Sequence, residues 1–370
     1  MKSAFQLTIA LSLLLACTKP PIFKTARIGY GTLRDFLKTH HVEKEPLKNL
    51  RFIPAGSVTV NKFDGKDSFN ISNPLTVSVD SFWVGTHEVS NKEYRRFIRY
   101  TIDSIGSHLL MYLRVINGQT RVDWKRPFDL LNQKKLGKID VFLLPPEERI
   151  DNRKDLDVRK IQYGNYYKNE TPISIYPDTL IWNFLPNSQK AKMMSKLYFS
   201  NPAYDNYPVV GVSLLQAKTY CRWLEEMWNN GLRSAGVTSH TFQVRLPNAF
   251  EWESAAALNK SLPDEIEDSI KPVDAYDKSF LKNMIGNVAE WTTTTGVEWT
   301  KPIQGVEWTK PIQIDNSENW KNVDSLIVVK GGSWNTKAFY LQPGTNQFYP
   351  ANTQKSDIGF RYIVKLKTKE

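Results

Sequence analysis

The residue types that could do chemistry fall in two places. The stretch KGGSWNTKAFYLQPG, Lys330 to Gly344, reads as a strand end, a glycine turn and a tryptophan, an arrangement that bends a chain to present reactive side chains. Yet no thiol, histidine or carboxylate follows that turn at once. The second place is RLPNAFEWE together with IGFR, which supply Arg245, Glu251, Glu253 and Arg361. Arginine–carboxylate pairs can act as acid–base machinery, but their commoner use is a structural ion pair, here fixing a helix to the C-terminal strand. Cys221 falls at helical spacing with Ala217, Tyr220, Leu224 and Trp228, so it reads as a small buried apolar residue and not as a nucleophile. His40, His41, His87, His108 and His240 show no helical pairing that would build a metal site.

Three helices must carry these groups, and each begins with the same device. A small polar cap is followed three residues later by Glu or Gln: Ser90 with Glu93, Ser213 with Gln216, Asn248 with Glu251. The first helix buries Tyr94, Phe97 and Ile98, and the second buries the face that contains Cys221. RFIPAGSVTV and LTVSVDSFWVGTHEV have the β-branched and aromatic enrichment of strands. Between the first two helices, residues from about 102 to 200 are too many for a simple loop and form an insertion with elements of its own. Its mixed charge between Arg121 and Lys160 suits solvent, and Trp124 and Trp182 are candidates for partner contact, although Pro177 to Trp182 is also the part expected to close the insertion onto the main domain. GVEWTKPIQ occurs twice in tandem, at 296–304 and 305–313. Pro302 and Pro311 oppose a helix or central strand, so the repeat reads as a duplicated surface loop. Trp299 and Trp308 in that loop are further candidates for contact with sugar or protein.

At the other end, Lys2 precedes the apolar run AFQLTIALSLLLA, which is too short to span a bilayer. LLAC, Leu14 to Cys17, resembles the lipobox of bacterial lipoproteins, in which the cysteine becomes the acylated first residue. That implies a signal peptide over 1–16, a lipidated tether and lead-in over 17–49, and a domain over 50–370. With Cys17 acylated, Cys221 is the only other thiol, so no disulfide framework can form. A net charge of +11 and a pI near 9.3 favour acidic partners. No nucleic-acid-binding pattern accompanies them, and nucleic acid is not expected as a partner.

Read in order, FIPAG, VGTHEVSNKEY, YPVVGVSLLQAKTYCRWL, VRLPNAFEWESAA, NMIGNVAEW, KGGSWN and DIGFR resemble the formylglycine-generating enzyme and sulfatase-modifying-factor family, from Arg51 to the C-terminus. The resemblance implies an α+β fold with little regular structure, distantly similar to C-type lectins. In the family's catalytic members two cysteines after the GGSW turn bind copper and attack the substrate thiol. The matching positions here are Thr336 and Leu341, a poor ligand for a soft metal and no ligand at all, so neither copper nor catalysis is expected. The family's calcium ion would fall on Asn283, Gly286, Val288 and Glu290, oxygen donors of the type a hard cation takes, gathered by a glycine turn. A metal-free turn, in which Glu290 accepts backbone N–H groups, is the alternative.

YPDTLIW and YFSNPAYDNYPVVGVS carry a narrower resemblance, to the gliding-motility and type IX secretion lipoproteins of the K and J types. That similarity implies a non-catalytic lipoprotein at the periplasmic face of the outer membrane, working with periplasmic, ring-forming protein partners. A calcium-dependent glycan- or envelope-binding module and a divergent oxidase are the competing readings.

Overall fold

The computed structural model describes residues 49–63, 71–109, 111–116, 118–123, 143–149, 151, 157–164, 171–184, 197–259, 269–274, 280–296, 326–342 and 344–368. Cys17 with the rest of residues 1–48, Trp124, and the repeat with Trp299 and Trp308 lie outside them.

The three caps form as the spacing predicts. Ser213 N–H donates to Gln216 Oε1 (2.8 Å) and Gln216 N–H to Ser213 Oγ (3.3 Å), which starts α2, Leu214–Ser234. Asn248 and Glu251 exchange the same pair of bonds, at 2.9 and 2.7 Å, to start α3, Ala249–Ala256. Ser90 and Glu93 do so at 2.8 and 3.3 Å ahead of α1, Asn91–Leu109. Because α1 runs on to Leu109, the insertion begins later than residue 102.

Two four-stranded sheets surround these helices. The first has the order β1 (Leu50–Ile53), β4 (Phe82–Gly85), β14 (Ile363–Thr368), β9 (His240–Arg245), and every pairing in it is antiparallel. The second has the order β12 (Gln347–Pro350), β11 (Leu326–Lys330), β10 (Ala289–Thr295), β13 (Ile358–Gly359), and only β10 with β13 is parallel. A hairpin of β2 (Gly56–Phe63) and β3 (Ile71–Val79) lies against α3. Short pairs β5 (Leu113–Ile116) with β6 (Gln119–Val122), and β7 (Gln162–Tyr163) with β8 (Ile173–Ser174), belong to the insertion. The architecture is α+β.

Burial follows the helical periods. Tyr94, Phe97 and Ile98 of α1 meet Ala217, Tyr220, Cys221, Leu224 and Trp228 of α2 in the main core, which the insertion enters with Ile161, Tyr163 and Ile175. A second cluster packs Trp252 and Ala255 of α3 on Val58, Val60 and Val328. The third decides between two readings of Trp182. Trp182, read as a partner contact, is 2% exposed, its ring 4.7 Å from Tyr198 and stacked on Trp334 at 6.4 Å. A large apolar side chain with facing aromatics is stabilised by leaving water, so this tryptophan closes the insertion onto the domain instead of offering it to a partner.

Candidate functional site

Two turns meet where the sequence places its chemistry. Gly286 N–H donates to Gly331 O and Trp334 N–H to Asn287 O, both at 2.9 Å, zipping the NMIGN turn to the KGGSW turn. Asn283 and Asn287 take left-handed backbone, with φ of 50° and 53°, an excursion Asn tolerates better than most residues. Gly332 has φ of 65°, and a Cβ there would stand 2.7 Å from Tyr340 O and 2.8 Å from Leu341 Cδ2. Glycine is therefore required by both the dihedral and the space.

The side chains after the glycines close the turn. Ser333 N–H donates to Thr336 Oγ1 (2.9 Å), and the Thr336 hydroxyl donates back to Ser333 O (3.1 Å). Leu341 is buried, with its methyl against Gly332. Neither offers a soft ligand or a thiol. Cys221 is 2% exposed in the main core, and burial pushes its thiol well above the ordinary range, so it stays protonated and unreactive. Among the described residues no three of His, Cys, Asp and Glu gather as a metal-binding group.

Behind the turns stands a buried ionic network. Arg361 and Glu290 are both 0% exposed. Arg361 Nε donates to Glu290 Oε1 (2.8 Å) and Oε2 (2.7 Å), Nη2 donates to Oε1 (2.6 Å), and Trp252 Nε1 donates to Oε2 (2.7 Å). Nη1 also donates to Gly85 O (3.1 Å) and Nη2 to Lys282 O (2.9 Å). One arginine thus binds β4, β10 and the loop before the NMIGN turn to the chain entering β14.

Glu290 therefore does not fit the role of calcium ligand. Each of its oxygens already accepts two N–H groups, and a cation bound there would face the guanidinium. The donors are side chains, not the backbone groups expected of a metal-free turn. Asn283 Nδ2 donates to Glu88 Oε2 (3.0 Å), and Asn287 Nδ2 donates to Glu88 Oε1 (2.9 Å). Glu88, absent from the sequence reading, is fully buried; burial, opposed by Arg361 and reinforced by Glu290, pushes its carboxyl up to about 7.

The other predicted ion-pair residues divide by partner. Arg245 grips Glu251 through two bonds of 2.7 Å, and Lys365 of β14 stands 3.4 Å from Glu251, so this group does link the helix to the C-terminal strand. Glu253 is different. It pairs with Lys330, which is buried at the end of β11, while Gly344 N–H donates to Glu253 Oε1 (2.9 Å). Lys330 and Glu88 could have been noticed as single charges inside apolar stretches, LIVVK and VGTHEV, but nothing in the spacing names their partners.

The sulfatase-modifying factor enzyme 1-like domain matches residues 36–366. The chain belongs to that family. The match starts inside the stretch read as a tether. Three solved structures are similar to the chain at low identity. Treponema denticola variable protein 1 is 16% identical with a TM-score of 0.43, covering 85% of this chain and 94% of its own. PvdO from Pseudomonas aeruginosa is 14% identical with a TM-score of 0.44 over the same shares. CarF is 13% identical with a TM-score of 0.34, over 86% of this chain and 100% of its own. No curated protein matches.

Proposed function

We propose that this family member is a non-catalytic scaffold, anchored by an acylated Cys17 at the periplasmic face of an outer membrane and built into a K- or J-type secretion and motility assembly. The observation that carries the non-catalytic part is the turn itself: Thr336 is bonded back onto Ser333, and Leu341 covers Gly332. Against a divergent oxidase of the copper type stands the burial of Cys221 in the main core. The anchor and the assembly are supported by the LLAC motif and by the sequence of the insertion. Among the described residues no helix is long and apolar enough to cross a membrane. The calcium reading is supported by the NMIGNVAEW motif alone.

The partner surface is assigned to the charged part of the insertion, Arg121 to Lys160 with Trp124, because Trp182 is spent on the core. Affinity purification from solubilised outer membrane, with mass spectrometry, is the test. Exchanging residues 121–160 for a Gly/Ser linker should remove the protein partners while Cys17→Ser removes the membrane. A folded, localised linker variant that keeps every partner would move the surface, with Trp299 and Trp308 next. Copper-dependent oxidation of a thiol peptide by the wild-type chain would overturn the scaffold reading.

A further inference from the structure

Three groups with complementary reactivity meet beneath the KGGSW turn. Lys330 is 1% exposed and ion-paired with Glu253. Its Nζ also donates to Thr345 O (2.7 Å) and to the carboxamide oxygen of Asn346 (2.9 Å). Asn346 is oriented by a bond from its Nδ2 to Gly344 O (3.2 Å), and Gly344 N–H holds the carboxylate of Glu253. One short loop, 344–346, therefore positions an amine, a carboxylate and an amide together. The Trp252 ring, 5.5 Å from Nζ, helps wall the group off from water.

We propose that Lys330 and Asn346 become joined by an isopeptide bond, with Glu253 as the proton relay. In a dry site, transfer of a proton from the ammonium to the carboxylate removes two buried charges, and burial accordingly lowers the lysine's proton affinity although Glu253 opposes this. The neutral Nζ attacks Cγ of Asn346, forming the Nζ–Cγ bond. Glu253 gives its proton to the Asn346 Nδ2 and takes one from Nζ, so that the Cγ–Nδ2 bond breaks and ammonia leaves. Ammonia carries away the surplus proton as ammonium, and Glu253 ends as a carboxylate. No oxidant or cofactor is needed. Fixed placement supplies what free amines and amides lack in water, a high effective concentration in one orientation.

Such a bond would close residues 331–345 into a covalent loop in a protein with no disulfide framework. The Arg361–Glu290 pair cannot react in this way, because a guanidinium keeps its proton.

Intact-mass measurement of the full chain, followed by tryptic mapping, tests the proposal. The expected result is a mass lower by one ammonia and a branched peptide that joins the segments containing Lys330 and Asn346. Lys330→Arg keeps the cation without the nucleophile and should restore the full mass, as should Glu253→Gln. Linear Lys330 and Asn346 peptides from folded wild-type protein would overturn the bond, whatever the variants do. So would an ammonia loss that persists in Lys330→Arg, since that places the loss at a cyclised side chain elsewhere.

Discussion

Arg361–Glu290 and Arg245–Glu251 are the same two functional groups in contact, and they differ in where water stands. Both members of the first pair are 0% exposed, whereas the Arg245 side chain is 29% exposed beside a Glu251 that is nearly covered. In the first pair neither the guanidinium nor the carboxylate can fall back on solvent, so the fold has to supply the partners, and it gives each guanidinium nitrogen and each carboxylate oxygen at least one. In the second, solvent can replace what a mutation removes. Identical chemistry thus fixes the tertiary structure at one site and only trims it at the other.

The sharpest way to break the comparison is to remove Arg361. Arg361→Ala leaves Glu290 buried, charged and without its counterion, a change that costs about 3–5 kcal/mol in other buried pairs. Denaturant melts should show a loss of that size or failure to fold. A loss no larger than that of Arg245→Ala would show that water reaches the network.

Glu88 gives the next effect. Burial pushes its carboxyl up to about 7 in the fold from an ordinary value of 4.5, so between those values the folded chain holds a proton that the unfolded chain has released. Stability should therefore fall as pH rises from 4.5 toward 7 and level off above, by about 3 kcal/mol for this group alone. Glu88→Gln should flatten that slope. An unchanged slope in the variant would assign the dependence to another group.

Arg245→Ala should cost about 1 kcal/mol or less at neutral pH. Burial works to raise the Glu251 carboxyl, but Arg245 and the cap hold it below the ordinary range. A depressed carboxylate contributes stability above its unfolded value, and that contribution is lost as pH falls through the folded one. The gap between wild type and Arg245→Ala should accordingly narrow in acid. A constant gap would make the arginine's role one of packing.

The smallest expected effect is that of calcium. With Glu290 already saturated by N–H donors, the melting temperature should be the same in chelator and in excess calcium. A rise with free calcium that Glu290→Gln weakens would restore the cation site the motif implies.

Much of the frame was legible because it depends on neighbours in sequence. The three caps need only two residues three apart, and the buried faces of α1 and α2 need only a period. The motif order carried the family and the α+β fold. The residues themselves also decide that no thiol stands at 336 or 341, since no fold can supply a sulfur the chain lacks. Who pairs with whom was not legible. Glu253 and Glu290 both stand in acidic–aromatic motifs, yet one meets Lys330 and the other Arg361. Trp182 could be read either as a contact residue or as a closure of the insertion, and only Tyr198 and Trp334 covering it decide for closure. Such pairings can span 276 residues, as from Arg361 to Gly85, and nothing local encodes them. They follow from how two sheets and a short helix enclose a space that excludes water, and that exclusion is a property of the assembled fold.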